Sequence, residues 1–227
     1  MELIYKGKTK DVYQLADGTI KLMFKDDVTC ANGVFDPGAN HTGIKIDGSG
    51  LAGLKMSKKF FEILNAKGIP THYIGCDLNE KSMHVLKVTT FGKGLEVICR
   101  TRSTGSFMKR YGAYAVEGQN LDYFVETTFK DDEREDPLVS GDCLAELGVM
   151  TLAQYDDIKK LTKEMTKIIE NELKKFDLTL YDIKFEFGVN EKGVLLIDEL
   201  SGGNMRVYKG DKILMPIELS DIVTKNM

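Results

Sequence analysis

The chain has 227 residues, of which 42% are hydrophobic and 29% are charged, so it can bury the core of one large domain or of two small ones. Its formal charge of −4 argues against a nucleic-acid partner, because binding along a phosphate backbone needs a basic surface. The sequence has no apolar run long enough for a membrane span, and its first residues, MELIYKGKTKDVY, lack an apolar signal core. These features predict a cytoplasmic protein without a membrane partner.

The cysteines and histidines form no recognisable metal or disulfide pattern. The four cysteines lie far apart, unlike a CxxC metal site or a disulfide-rich secreted domain, and this favours free thiols. The three histidines lack the i, i+4 spacing of a helical zinc site. The composition therefore argues against zinc and against catalytic histidine chemistry.

The first hundred residues contain short apolar or alternating runs separated by turn residues, which is the pattern of β-strands. The predicted strands are residues 2–5, 11–14, 20–24, 71–74, 83–88 and 95–100. One helix is predicted in LAGLKMSKKFFEILNAKG, because apolar residues recur there near helical spacing and Gly68 and Pro70 follow as a stop. The glycine-rich segment 34–53 is predicted to be a loop or a chain of turns, which either covers a site or forms a surface insertion.

The second half predicts one long helix followed by a hairpin. Thr151 and Gln154 have the spacing of a capping box, and an apolar stripe runs from Tyr155 to Phe176. Residues 181–188 alternate between apolar and polar side chains, and after a turn an apolar strand covers 194–197. Together the elements predict an α+β fold with two domains, residues 1–90 and 91–227.

Charged residues at the end of this hairpin suggest a cation site. Asp182, Lys184 and Glu186 share one face of the predicted strand 181–188, and Asp198 follows the apolar strand 194–197. Taken alone, such a row more often marks a solvated strand face. Because the partner strand must be buried, Glu186 and Asp198 can instead meet at a core edge and hold a hard cation such as Mg²⁺ with a nucleotide.

Two further segments could bind anions. The turn Gly7-Lys8-Thr9-Lys10 places two lysines and backbone N–H groups between two predicted strands, which suits a triphosphate but is equally compatible with a surface hairpin. The segment RTRSTGSFMKR, residues 100–110, combines arginines with a hydroxyl-rich turn that precedes a helix. It could hold phosphate or carboxylate, or form a solvated basic helix.

The acidic run 130–137 is by default predicted to be a solvated loop.

In this order, the segments resemble the phosphoribosylaminoimidazole-succinocarboxamide synthase (SAICAR synthetase) family. The motifs that carry the resemblance are YKGKTKDVY at 5–13, FKDDVTCANG at 24–33, GIPTHY at 68–73, EVICRTRSTGSFMKRYG at 96–112, FKDDEREDPL at 129–138, YDIKFEFGV at 181–189 and LLIDELSGGNMR at 195–206. They span almost the whole chain. The resemblance implies an amino-terminal β-rich lobe like those of ATP-grasp and kinase-like enzymes, a larger α+β lobe, and ATP bound in the cleft between them.

The resemblance also implies an activity and a set of site residues. The activity is an ATP- and Mg²⁺-dependent joining of L-aspartate to the carboxylate of carboxyaminoimidazole ribonucleotide (CAIR) through an acyl phosphate, and a homo-oligomer is compatible with it. ATP would be contacted by Lys8, Lys10, Val12 and Lys130, with Glu186 and Asp198 as metal ligands. CAIR would be bound by Arg100, Ser106, Asp182, Lys184 and Arg206. The catalytic roles fall to Lys130, Lys184 and Arg206.

Three departures from the family pattern concern the acceptor side. Gly203 stands where the family has a substrate-facing aspartate, no arginine follows Arg206, and GSGLAGLKMSKKFF replaces the family segment that begins the first long helix. Loss of two charged contacts would weaken CAIR binding by roughly ten- to a thousandfold unless other groups replace them. Lys55, Lys58, Lys59 and the segment 34–53 are the candidate replacements.

Three hypotheses follow. The first is a SAICAR synthetase of a divergent branch. The second is a related ATP-dependent ligase that uses a different carboxylate, and the third is a nucleotide-binding module without catalysis. Retention of the lysines together with both metal carboxylates argues against the third, because simple binding has less need of them.

Overall fold

The computed structural model describes residues 1–31, 34–37 and 41–225. The chain forms two compact units. The first contains Met1–Val88, Glu199–Asn204 and Leu214–Met227, and the second contains Thr89–Asp198 and Met205–Ile213. Two late segments thus join the first unit, whereas the division into residues 1–90 and 91–227 stays a prediction of the domain organisation.

The first unit is built on a five-stranded antiparallel sheet in the order β1-β2-β3-β8-β7. Its strands are β1 Glu2–Lys6, β2 Lys10–Gln14, β3 Ile20–Phe24, β7 Tyr73–Asp77 and β8 Ser82–Val85. Each corresponds to a strand predicted from the sequence, with small shifts at the ends. The inner side of β3 shows why these residues form a strand, since Ile20, Leu22 and Phe24 alternate into the core.

A second, three-stranded sheet of this unit shows that the prediction for residues 34–53 was wrong. Its strands are β4 Asp27–Ala31, β5 Val34–Phe35 and β6 His41–Lys45, and helix α1 already begins at Ser49. Residues 38–40 of the predicted loop lie outside the described residues. The glycines here permit close packing: a Cβ on Gly50 would lie 2.6 Å from the carbonyl oxygen of Lys25, and the Gly50 N–H donates to Asp26 at 2.8 Å.

Helices α1 (Ser49–Ala66) and α5 (Pro216–Val223) pack together in the first unit. The buried side of α1 includes Leu54, Met56, Phe60, Phe61 and Leu64. The segment 199–204 is attached to α1, because the backbone N–H of Leu200 donates to the Ser57 hydroxyl at 3.1 Å.

The second unit contains a seven-stranded antiparallel sheet whose main order is β11-β10-β12-β14-β15, with β9 and β13 also paired to β12. The strands are β9 Thr89–Thr90, β10 Leu95–Arg102, β11 Asn120–Phe129, β12 Thr179–Asn190, β13 Gly193–Ile197, β14 Met205–Lys209 and β15 Lys212–Ile213. The pairing of β12 with β13 confirms the predicted hairpin.

Three helices complete this unit: α2 Ser106–Tyr111, α3 Gly141–Glu146 and α4 Leu152–Lys174. Helix α4 begins with the predicted capping box of Thr151 and Gln154. It packs against β10 and β12, where its buried residues meet the apolar side of the sheet. Because side chains alternate along a strand, burying Ile183, Phe185 and Phe187 on this side directs Asp182, Lys184 and Glu186 to the other.

The observed α+β fold agrees with the expectation from the sequence. None of the helices in the described part of the chain combines the length and the apolar character that crossing a membrane requires.

Candidate active site

The charged side of the second unit's sheet is set by strand register. Arg100 of β10 lies opposite Asp182 of β12, and Glu96 lies opposite Glu186. On the other side of β12, Arg206 of β14 pairs with Asp182. Directly opposed residues in an antiparallel sheet point to the same side, so these groups share one surface. Since Asp182 is only 3% exposed, this surface is not the solvated strand face that was the alternative interpretation.

One end of this surface is an arginine cluster, which consists of Arg100, Arg110, Arg206, Asp182 and Glu126. A single oxygen of Asp182, Oδ2, accepts from Arg100 Nη1 at 2.5 Å and from Arg206 Nη1 at 2.7 Å. Glu126 Oε1 accepts from Nε and Nη2 of Arg100, at 2.8 and 2.6 Å, and from Arg110 Nη2 at 2.5 Å. Two carboxylates thus hold three guanidinium groups close together.

Arg100 is the centre of this cluster and is 1% exposed. Besides its bonds to the two carboxylates, it donates to the Thr104 carbonyl at 3.2 Å and to the Ser106 hydroxyl at 2.9 Å. A guanidinium group has five N–H donors, and all five of Arg100 are engaged. Arg100 can therefore contact a substrate only if one of these bonds opens.

Gly105 leaves room for the guanidinium group of Arg206. Its backbone has φ 57° and ψ −131°, a conformation that favours glycine, and it lies just before helix α2. A Cβ at this position would lie 2.8 Å from Cζ of Arg206 and 2.9 Å from both terminal nitrogens. The absence of a side chain lets the guanidinium group lie against the turn that carries Ser106.

The other end of the surface is a carboxylate–lysine group, which consists of Glu96, Glu186, Asp198, Lys130 and Lys184. Lys130 Nζ lies 2.7 Å from Glu186 Oε1, and Lys184 Nζ lies 2.6 Å from Glu96 Oε1. Asp198 follows β13 with φ 66°, a left-handed conformation that aspartate adopts more readily than most residues other than glycine. The strand ends thus gather three carboxylates and two ammonium groups.

Burial and neighbouring charges shift the pKa values of Glu186, Lys130 and Lys184. Burial raises the pKa of Glu186, the neighbouring charge of Asp198 raises it further, and the two lysines only partly oppose this. Burial lowers the pKa of the Lys130 ammonium, but the carboxylates of Glu186 and Asp198 outweigh that effect and raise it. The pKa of Lys184 is likewise raised, since Glu96 and Glu186 outweigh burial. Both lysines therefore stay charged at neutral pH.

The first unit contains the predicted phosphate-binding turn. Gly7 is required there, because a Cβ would lie 2.5 Å from the carbonyl oxygen of Lys10. Lys8 is exposed, whereas Lys10 is buried, with its ammonium group 3.2 Å from Glu199 Oε2. Val12, in β2, pairs with Leu22 of β3. The two lysines thus differ in environment, although the same phosphate-binding role was predicted for both.

No role was predicted from the sequence for three carboxylates that the structure pairs with cations: Glu96 and Glu126 in the second unit, and Glu199 in the first. Glu96 and Glu126 are 8% and 6% exposed. A glutamate within an otherwise buried strand is unusual unless it is paired, and this signal could have identified both. Their arginine and lysine partners are distant in sequence, so the pairings themselves depend on the strand register.

The SAICAR synthetase family model matches residues 3–217 of the chain. The chain belongs to the SAICAR synthetase family. A phosphoribosylaminoimidazole-succinocarboxamide synthase of Clostridium tetani is 53% identical over 225 residues, which cover 98% of this chain and 99% of that protein. The corresponding protein of Finegoldia magna is 38% identical, covering 93% and 87% of the two chains.

A solved family structure extends this similarity to three dimensions. A SAICAR synthetase in complex with ADP has a TM-score of 0.85 and 27% sequence identity, covering 98% of this chain and 97% of that chain. These similarities confirm the family resemblance that the motifs carried.

Proposed function

We propose that this protein is an ATP-dependent ligase that joins L-aspartate to the carboxylate of CAIR, giving SAICAR, ADP and phosphate in purine biosynthesis. The observation that supports this most strongly is the single sheet surface with an arginine cluster at one end and a carboxylate–lysine group at the other. Such a surface suits an anionic acceptor and a metal-bound nucleotide. Family membership and the ADP bound by a solved relative support the same reaction.

The nucleotide roles are proposed for residues of both units. In the second unit, Glu186 and Asp198 are the proposed ligands of Mg²⁺, because two close carboxylates that repel each other suit a hard cation with oxygen ligands. Lys130, which is paired with Glu186, is proposed to contact the nucleotide. In the first unit, the proposed ATP contacts are Lys8, Lys10 and Val12.

The two proposed ligands would form a partly open metal site. Among the described residues, no group of three or more His, Cys, Asp and Glu side chains is arranged to hold a metal ion. Two protein carboxylates are nevertheless a typical contribution to Mg²⁺, whose other ligands are commonly water and substrate phosphates. When bound, Mg²⁺ would neutralise charge on the phosphates during transfer.

The acceptor roles are proposed for the arginine cluster and its neighbours: Arg100, Ser106, Asp182, Lys184 and Arg206. The carboxylate of CAIR and the γ-phosphate of ATP are both anionic, so their approach needs fixed positive charge. Lys130, Lys184 and Arg206 are the proposed catalytic groups, since each carries a cation held by a carboxylate in a defined position. Fixed cations of this kind need no reorganisation during the reaction.

The proposed reaction has two chemical steps. An oxygen of the CAIR carboxylate attacks the γ-phosphorus, the bond to the β-phosphate oxygen breaks, and ADP leaves. The aspartate amine then attacks the acyl carbon of the resulting acyl phosphate, loses a proton, and phosphate leaves. The side chains named above orient the reactants and neutralise charge, and alignment of this kind can lower a barrier by about 7–11 kcal/mol in favourable cases.

The loop 199–204 supports a second candidate, a ligase for a different carboxylate. A Cβ on Gly203 would lie 3.3 Å from Glu199 Oε1, and one on Gly202 would lie 2.7 Å from Cα of Pro216. The loop is closed internally, since Asn204 accepts from the Ser201 N–H at 2.8 Å. Larger residues at 202 and 203 would disturb this packing, so the loop as built excludes the aspartate that the family pattern has at position 203, and with it one proposed acceptor contact.

The deciding experiment measures ADP release with Mg-ATP, L-aspartate and CAIR, each omitted in turn, with mass detection of SAICAR. Efficient turnover that depends on all three supports the purine reaction. A parallel panel of other carboxylates tests the second candidate, and a higher kcat/KM for another acid would replace CAIR as the proposed acceptor. The cytoplasmic location and a homo-oligomeric state stay predictions.

A further inference from the structure

Glu126 is a buried carboxylate that the proposed reaction has not used. It is 6% exposed and lies in β11 opposite Ile98, in the row that continues to Lys184. Its Oε1 accepts all three hydrogen bonds described above, from Arg100 and Arg110. Its Oε2 is buried and accepts no hydrogen bond from the described residues.

The two oxygens of Glu126 differ, because Oε1 accepts three hydrogen bonds and Oε2 accepts none from the described residues. One oxygen binds two guanidinium groups that would otherwise repel each other at short range. Arg100 donates to Glu126 through both Nε and Nη2. The side chain of Arg110 is 27% exposed, and its salt bridge to Glu126 is made by Nη2 at the end of the side chain. Glu126 thereby connects the buried arginine to a more accessible one.

We propose that Glu126 is a positioning residue that orients the guanidinium groups of Arg100 and Arg110 for an anionic acceptor substrate. This inference rests on the proposed function, which assigns the acceptor to the arginine cluster. Glu126 does not touch the substrate in this proposal and acts through the two arginines. It extends the acceptor machinery to β11, which the sequence motifs did not indicate.

A positioning role and a purely electrostatic role of Glu126 predict opposite changes in acceptor binding when its carboxylate is removed. If Glu126 contributed only its negative charge, its removal would make the cluster more positive and tighten the binding of an anion. If it orients the arginines, its removal weakens acceptor binding despite the more positive field, because displaced guanidinium groups no longer align their N–H donors with the anion. The direction of the change in acceptor KM therefore separates the two.

The test compares Glu126→Gln with Glu126→Asp. The glutamine variant keeps the shape and removes the charge, whereas the aspartate variant keeps the charge and shortens the reach. Positioning predicts that both raise the KM for CAIR by about tenfold or more, with the KM for ATP changed by less than about twofold. The matched control is Glu170→Gln, which removes a part-buried carboxylate of the same unit that binds Tyr123 and Lys174.

A second variant tests whether Glu126 acts through Arg110. Arg110→Lys keeps the charge but loses the forked donor geometry. If the two residues act together, adding Glu126→Asp to Arg110→Lys raises the KM for CAIR by a much smaller factor than Glu126→Asp does in the natural protein. Independent, multiplicative effects of Glu126→Asp and Arg110→Lys would overturn the inference. An unchanged or lower KM for CAIR in both Glu126→Gln and Glu126→Asp would overturn it as well.

A measurement without turnover distinguishes this inference from the proposed function. In ¹⁵N-edited spectra, the Nε–H of Arg100 should exchange slowly with solvent in the natural protein and faster in Glu126→Asp. Equal exchange in both proteins would show that Glu126 does not hold Arg100. If the natural protein forms no SAICAR but the exchange rates differ as expected, the proposed acceptor is wrong while the positioning role of Glu126 stands.

Discussion

The two ends of the charged sheet surface both combine carboxylates with cationic side chains, but they differ in how fully the carboxylates are neutralised. In the arginine cluster, two carboxylates bind three guanidinium groups, and every N–H of Arg100 is engaged. In the carboxylate–lysine group, Glu186 has a cationic partner, yet burial and Asp198 still raise its pKa. The first end pairs both of its carboxylates with guanidinium groups, whereas the second still carries repulsion between carboxylates that a bound cation would relieve.

This difference indicates two ways of preparing a site. Arg100, Arg110 and Arg206 are held in place before a substrate arrives, and at Arg100 one hydrogen bond must then open for the acceptor to be contacted. Glu186 and Asp198 become favourable neighbours only with a cation between them. We therefore expect geometric changes to matter most at the arginine end and charge changes to matter most at the carboxylate end.

The largest effect is expected from Glu186→Gln. Loss of one of two proposed metal carboxylates should lower kcat by about a thousandfold, corresponding to roughly 4 kcal/mol of transition-state stabilisation. Steady-state turnover at saturating Mg-ATP measures this, and chelation of Mg²⁺ should abolish activity of the natural protein. Glu164→Gln, an exposed change on α4, should have no effect. A variant that keeps more than a tenth of the activity would contradict the metal role, and a change in ATP affinity without any turnover to lose would favour a binding module.

A smaller effect is expected from Gly105→Ala. The new Cβ would lie 2.8 Å from Cζ of Arg206, so the guanidinium group must move. The KM for CAIR should rise by about ten- to a hundredfold with little change in the KM for ATP. The control is Gly148→Ala, which has a similar positive φ but no neighbour within 4 Å of its Cβ. Equal KM values for CAIR in the two variants would contradict a role of Gly105 in placing Arg206.

The smallest effect should come from Cys99, which lies on the opposite, apolar side of the sheet. Burial raises the pKa of this thiol to about 11, against an ordinary value of 9.0. A raised acid pKa stabilises the fold fully below the unfolded value, and this contribution is lost as pH rises from about 9 through about 11.

Urea unfolding at pH 8 and pH 10.5 should show this loss as about 2 kcal/mol in the natural protein, and Cys99→Ala should remove that part of the alkaline dependence. Cys143→Ala, which changes an exposed thiol, should keep the natural dependence. If both variants lost stability equally between the two pH values, Cys99 would not be the titrating group. Activity at neutral pH should be nearly unchanged in either case, because the thiol does not face the charged surface.

The sequence predicted most of the sheet framework for a physical reason. Alternation in 181–188 requires one buried and one charged side, and the capping box of Thr151 and Gln154 determines where α4 begins. These signals are local. The burial of Lys10 and the pairing of Glu126 with two arginines depend instead on contacts between distant residues, which one sequence does not display.

The wrong prediction for residues 34–53 has a different origin. Glycine was interpreted as a sign of irregular backbone, but Gly43 lies within β6 and Gly50 allows α1 to approach Lys25. Glycine serves flexibility and close packing alike, and composition does not distinguish these uses. The motifs identified the family, whereas the roles of individual site residues stay proposals.

The division of the chain into units has a consequence for folding during synthesis. The chain passes between the units four times, after residues 88, 198, 204 and 213. The strands of the first unit leave the ribosome early, but helix α5, which packs on α1, is made only after the whole second unit. The apolar side of α1 therefore stays incompletely covered while the whole second unit is translated. We expect the nascent amino-terminal fragment to expose a chaperone-binding surface until α5 has been made, and no single cut would yield either unit alone.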